Sequence, residues 1–79
     1  MKKNDILLDL ERIFRTELDD PSIMLTYEST TEDVRDWDSI THIMLVFAIE
    51  GHYSIKFNSQ ETMSWNNIGE LIKCIESKI

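Results

Sequence analysis

The chain holds one cysteine, one proline and two glycines in 79 residues. A lone thiol, Cys74, forms no internal disulfide, and no Cys/His spacing outlines a zinc site, so neither kind of staple is expected. Such cysteine usage suits a reducing compartment, and a cytoplasmic location is expected. Basic residues are also scarce: 8 Lys and Arg against 15 Asp and Glu leave a formal charge of -7. No cationic cluster is present to meet a phosphate backbone, which excludes nucleic acid as a partner class. The acidic surface instead suits basic protein partners steered to it by charge, although the same charge would confer solubility with no partner at all. No run approaches the ~20 apolar residues that span a bilayer, so no membrane partner is expected. Met1-Lys2-Lys3 turns at once to Asn4-Asp5 and an amphipathic pattern, unlike a secretory leader.

A chain of this length reads as one domain over residues 1–79, burying only about 60% of the surface its unfolded form exposes. Such a body has little room for a deep cleft, which favours a carrier, adaptor or regulator over an enzyme.

Helical spacing dominates what is present. Ile6, Leu7, Leu10, Ile13, Phe14 and Leu18 recur at intervals of three and four and predict a helix over 5–18, capped by Asn4 or Asp5. Its other face, with Asp9, Glu11, Arg12 and Arg15, reads as solvated, with Glu11 and Arg15 spaced for an ion pair. Asp19-Asp20-Pro21 ends that helix. The polar stretch 19–37 is longer than most structureless loops, so Ile23, Leu25, Tyr27 and Val34 are expected to pin it to the core, with room for a short helical turn. Gly51 weakens the end of a second helix over 39–52. Tyr53, Ile55 and Phe57 then alternate with polar residues but have no partner strand, so they read as anchors of a loop leading to a short helix over 59–63. Ser64 is the expected cap of the last helix, whose apolar stripe is Ile68, Leu71, Ile72, Ile75 and Ile79, with Met63 and Ile68 placed as a hydrophobic staple. Cys74 beside this stripe reads as a partly buried small side chain. The expected fold class is therefore all-α, a four-helix bundle of three main helices and one short one, with a long loop between the first two.

The second helix is the most informative segment. Asp38 is a good cap for it. At 100° per residue, Leu45, Val46, Ile49 and Tyr53 group on one side, while Ile40, Ile43, Met44 and Phe47 group on another. One apolar face is enough for a core. The second group is either a second buried face or an exposed docking surface for partner proteins.

Ser39 opens this helix. A serine in a first turn is ordinarily structural, but free N–H groups and the positive end of the helix dipole meet there, so a phosphodiester attached to its hydroxyl would be stabilised.

The run Trp37-Asp38-Ser39-Ile40, followed by Ile43, Leu45, Ile49 and Glu50, resembles the signature of acyl carrier proteins. In that family an Asp-Ser-Leu triplet opens the second of four helices and an acidic residue recurs near its end. Ser39 matches the serine that accepts 4'-phosphopantetheine from coenzyme A, Asp38 the preceding aspartate, Ile40 the leucine and Glu50 the late acidic position. The helix order and lengths agree over nearly the whole chain. The resemblance implies a monomeric carrier with no catalytic residues and no bound metal. A phosphopantetheinyl transferase would modify Ser39 using magnesium and coenzyme A, and acyl-activating and acyl-transferring enzymes would load and unload the arm as a thioester, in fatty acid, polyketide or related biosynthesis. Thr41, Met44, Gly51 and His52 stand where carriers of bacterial fatty acid synthesis are often acidic, and Asp36-Trp37 replace the glycines of peptidyl carriers. A specialised pathway is the expectation.

Other readings are weaker. Ser39 and His42 stand three apart on a helix, but no orienting acid, oxyanion hole or nucleophile elbow supports a hydrolase. Asp33, Asp36 and Asp38 lack the glycine and spacing of a calcium loop. The main alternative is an unmodified helical interaction module that binds a partner through Ile43, Met44 and Phe47.

Overall fold

The apolar positions spaced three and four apart fold into four helices in the computed structural model, which describes residues 2–79. They are α1 (Lys3–Glu17), α2 (Ser39–Tyr53), the short α3 (Ser59–Ser64) and α4 (Ile68–Glu76). Helix α1 packs against both α2 and α4. Its Ile6, Leu10 and Phe14 meet Leu45 and Ile49 of α2 and Ile68, Leu71, Ile72 and Ile75 of α4, each no more than 1% exposed. Burying such a side chain contributes about 1.5–3 kcal/mol, so these positions carry most of the driving force for folding.

Helix α1 begins two residues earlier than its apolar pattern suggests. Lys2 is the cap residue and offers no side-chain bond, so neither Asn4 nor Asp5 caps it; Asn4 Oδ1 instead accepts the Tyr27 hydroxyl across to the loop. At the far end Asp19 takes the left-handed conformation, φ 50°. This lets the Asp19 N–H reach the Thr16 carbonyl and the Asp20 N–H reach the Arg15 carbonyl, closing the helix as a Schellman turn.

Ile23, Leu25 and Val34 are buried and Tyr27 is half-buried, so the long loop is pinned as expected, by turns and without a helix. The polar face of α1 also holds it, a role the reading of that face as merely solvated did not anticipate. Arg15 Nε donates to the Ile23 carbonyl at 2.7 Å, and the Leu25 N–H donates to Glu11 Oε2 at 2.9 Å. The Glu11–Arg15 ion pair, 3.1 Å, joins these two anchors. At its middle the loop satisfies the start of α4: the Gly69 N–H donates to the Tyr27 carbonyl at 2.7 Å and the Ile68 N–H to the Ser29 carbonyl at 2.9 Å. A side chain at position 69 would bring its Cβ to 3.0 Å from that Tyr27 oxygen, tighter than an ordinary contact, so the close approach favours glycine.

Helix α2 runs through Gly51 and stops at Ser54, which is left-handed at φ 56°. Ile55 is buried, with Tyr53 and Phe57 packed against the core, and the Phe57 N–H donates to Glu50 Oε2 at 2.8 Å. Three expectations about the last helix fail. Ser64 ends α3, its hydroxyl donating back to the Glu61 carbonyl, and Asn67 caps α4 by accepting the Glu70 N–H. Met63 is 85% exposed and makes no staple with Ile68, because the turn at 65–67 separates it from α4. Ile79 lies beyond the helix and is half-exposed, leaving four residues in the buried stripe.

Candidate functional site: the amino end of helix α2

Asp38 has extended backbone, and its side chain folds forward over the first turn of α2. Its Oδ1 accepts the N–H groups of Ile40 and Thr41, each at 2.9 Å. Thr41 returns the bond by accepting the Asp38 N–H at 2.8 Å, and its hydroxyl donates to the Asp36 carbonyl at 2.6 Å. This reciprocal box, with threonine at the position often held by glutamate or glutamine, fixes where α2 starts. The Thr41 N–H, helped by that of Ile40, holds the Asp38 carboxyl below the usual carboxylate range against an opposing contribution from desolvation.

Ser39 is the first helical residue, and its side chain is exposed. The hydroxyl is neither walled in nor displaced from the helix start. One detail differs from the electrostatic expectation. The Ile40 and Thr41 N–H groups already bond the Asp38 carboxylate, so they are not free to hold a phosphodiester, and the Ser39 N–H and the helix dipole remain to favour one.

Behind Ser39 the chain is anchored by Trp37, which sequence reasoning used only as part of a motif. It is buried and packs edge-to-face with Phe14 of α1, centroids 5.0 Å apart. Trp37 Nε1 donates to His42 Nδ1 at 3.0 Å, and His42 Nε2 lies 2.9 Å from the Thr62 carbonyl of α3. His42 thus lies near-parallel to Trp37 and edge-to-face with Trp65 as a packed histidine, with both ring nitrogens engaged away from Ser39. That geometry offers no base to a serine nucleophile. Helical periodicity places His42 towards the core side but carries no trace of the indole that meets it there.

In front of Ser39 lies the second apolar group of α2. Ile40, Ile43, Met44 and Phe47 are 72%, 56%, 43% and 68% exposed, whereas Leu45 and Ile49 on the same helix are 1% exposed. The second group is therefore not a second buried face. A groove lined by Phe47, Gly51, Ser54, Ile55 and Lys56 continues it towards the carboxyl end of α2. Glu50, which also lines that groove, uses its carboxylate to hold the Phe57 N–H. No charged residue lies between Ser39 and Ile49.

Elsewhere, Asp9 of α1 accepts the Tyr53 hydroxyl at 2.8 Å and stands 3.4 Å from His52 Nε2, tying the far end of α2 to α1. Burial, reinforced by the bond to Asp9, pushes the Tyr53 hydroxyl above its ordinary range. Cys74 is half-buried beside Glu61, and burial likewise raises its thiol. Among the described residues no three His, Cys, Asp or Glu side chains converge to hold a metal ion, and no helix is long and apolar enough to cross a membrane.

No protein-family model matches the chain, and no curated protein matches it. Among solved structures it is similar to a holo acyl carrier protein from Geobacter metallireducens, determined by solution NMR. The two are 40% identical with a TM-score of 0.84, over 91% of this chain and 83% of that one. With that identity across nearly the whole fold, and with Asp38-Ser39 opening its second helix, the chain belongs to the acyl carrier protein family and serves as a carrier of acyl groups rather than as an enzyme.

Proposed function

We propose that Ser39 is the attachment point for 4'-phosphopantetheine, whose terminal thiol carries acyl intermediates as thioesters, and that residues 1–79 act as one monomeric carrier domain in the cytoplasm. The observation that carries this reading is the exposed Ser39 side chain at the first position of a helix whose start is fixed by Asp38. A transferase needs a hydroxyl it can reach at a constant place, and the Asp38–Thr41 box together with buried Trp37 provides the constancy. Because Asp38 already occupies the Ile40 and Thr41 N–H groups, the first turn leaves only the Ser39 N–H to the phosphate linkage. The arm is left free to swing between the sites of different enzymes, at an effective concentration set by its length.

Ile40, Ile43, Met44 and Phe47 form the surface on which the phosphopantetheinyl transferase and the acyl-activating and acyl-transferring enzymes dock. Exposed apolar side chains clustered beside an attachment point suit contact with an apolar patch on a partner. The uncharged run from Ser39 to Ile49 favours partners of a specialised biosynthetic pathway over those that read an acidic second helix.

Intact-mass measurement after incubation with coenzyme A, magnesium and a broad-specificity transferase tests the attachment. One phosphopantetheine is added to the native chain and none to Ser39→Ala. An unchanged native mass beside a modified control carrier would refute the assignment and leave an interaction module of the same fold.

A further inference from the structure

The imidazole of His42 bridges three parts of the chain, the Trp37 loop end, the first turn of α2 and α3. Trp37 Nε1 is a donor only, so at 3.0 Å it requires His42 Nδ1 to be the acceptor. The single proton of the neutral ring then sits on Nε2, which donates to the Thr62 carbonyl at 2.9 Å. A proton on Nδ1 would set one N–H against another, so only the neutral Nε2–H form makes both bonds.

Both partners depend on this ring. Trp37 ends the loop immediately before the Asp38 cap and is buried, so its indole N–H needs an acceptor away from water. Thr62 lies in the last turn of α3, where carbonyls lack helical partners, and His42 supplies a donor for one of them. Helix α3 buries none of its side chains. Besides His42, its polar ties run from Glu61, to Lys78 Nζ at 3.1 Å and to Cys74 Sγ at 3.6 Å. These anchor α3 to the carboxyl-terminal end of the chain, leaving His42 as the tie to the helix that bears Ser39.

We propose that His42, as its Nε2–H tautomer, is a positioning residue for Ser39, clasping the Trp37 loop end and α3 to the first turn of α2. The proposal rests on the reading of Ser39 as the attachment point. The ring does not meet the hydroxyl; it fixes the segment on which the hydroxyl stands and the helix beside it.

Long-range proton–nitrogen correlation spectra of the full chain should show the His42 proton on Nε2 and an unprotonated Nδ1. His42→Phe keeps a ring between Trp37 and Trp65 but removes both bonds. Amide exchange over residues 59–64 should then accelerate roughly tenfold, and kcat/KM for phosphopantetheine transfer should fall about fivefold. His42→Gln, which can still donate to Thr62, should recover most of both. Trp37→Phe, retaining the packing on Phe14 without the N–H, should shift the Nδ1 resonance and reproduce part of the transfer loss. A proton on Nδ1, or α3 exchange as slow in His42→Phe as in the native chain, would overturn the clasp. Unchanged transfer to His42→Phe beside an active native chain would overturn its positioning role. If the native chain accepts no phosphopantetheine, the attachment reading fails separately, and the tautomer and exchange results still decide whether the clasp exists.

Discussion

Phe47 and Leu45 stand two residues apart on α2 and should respond in opposite ways to truncation. Leu45 is 1% exposed and packs in the core. Leu45→Ala should therefore cost about 2–5 kcal/mol, from lost transfer energy and the cavity left behind. In a domain this small each kcal/mol shifts Tm by roughly 4–8 °C, so the melting point should fall by about 8 °C or more. Phe47 is 68% exposed, and an aromatic side chain offers about 200 Å² of surface, so roughly 140 Å² remains open to water. At about 25 cal/mol per Å², covering half of it against a partner contributes close to 2 kcal/mol. Phe47→Ala should lower kcat/KM for transfer to Ser39 by roughly tenfold to thirtyfold while changing folding stability by about 0.5 kcal/mol or less. Thermal unfolding and transfer kinetics on both variants make the comparison. A large stability loss in Phe47→Ala would place that ring in the core, and unimpaired transfer would remove Phe47 from the docking surface.

The two glycines should behave oppositely. Gly69→Ala forces a methyl to 3.0 Å from the Tyr27 carbonyl and should destabilise by about 1–3 kcal/mol. Gly51→Ala, inside α2 with nothing within 4 Å of the new carbon, should stabilise by about 0.5–1 kcal/mol in urea unfolding. Acid should loosen the amino end of α2, because the Asp38 carboxyl is held below its ordinary range by the Thr41 and Ile40 N–H groups. Its contribution is complete above the unfolded-state titration range and disappears as pH falls through the depressed folded value. Asp20, through Ser22, and Glu61, through the Asn58 N–H, act with the same sign. Asp38→Asn still accepts a hydrogen bond but cannot titrate, so its acid unfolding profile should be flatter; a profile superimposable on the native one would refute the assignment.

Core positions and the start of α2 were legible because each depends on local chemistry. Ile6, Leu10 and Phe14 repeat with the helical period, and Asp38 is followed at once by a helical run, so neighbours alone decide their placement. Two kinds of feature were not legible. Caps compete: Ser64 and Asn67 are both good candidates, and the choice went to Asn67 because α3 extends through Ser64 and the loop carbonyls of Tyr27 and Ser29 meet α4 at Ile68 and Gly69. Long-range polar contacts leave no periodic trace. Glu11 and Arg15 look like a surface pair, yet each also bonds the backbone of a loop 8 to 14 residues away. Trp37 and His42 are five residues apart, but that indole-to-imidazole bond forms only where Phe14 and α3 bracket them. At Ser39 the position was legible and the electrostatics only in part, since the aspartate that marks the helix start also takes two of the N–H groups an anion would use, those of Ile40 and Thr41.

Exposure of the strip on α2 follows from how few helices the chain has. Leu45 and Ile49 face α1 and α4 in the core, while α3 is too short to cover the opposite side and buries none of its residues. Four apolar side chains beside Ser39 therefore stay in water, an arrangement that invites pairing between copies of the chain. A formal charge of -7 opposes it: two copies meeting strip to strip bring like charges together, and that repulsion is strongest at low ionic strength. An enzyme surface with a basic rim around an apolar patch has the opposite electrostatic balance. On the docking proposal, the acidic composition and the uncharged strip should select together for a partner over a second copy, and raising salt should erode that selection from both sides.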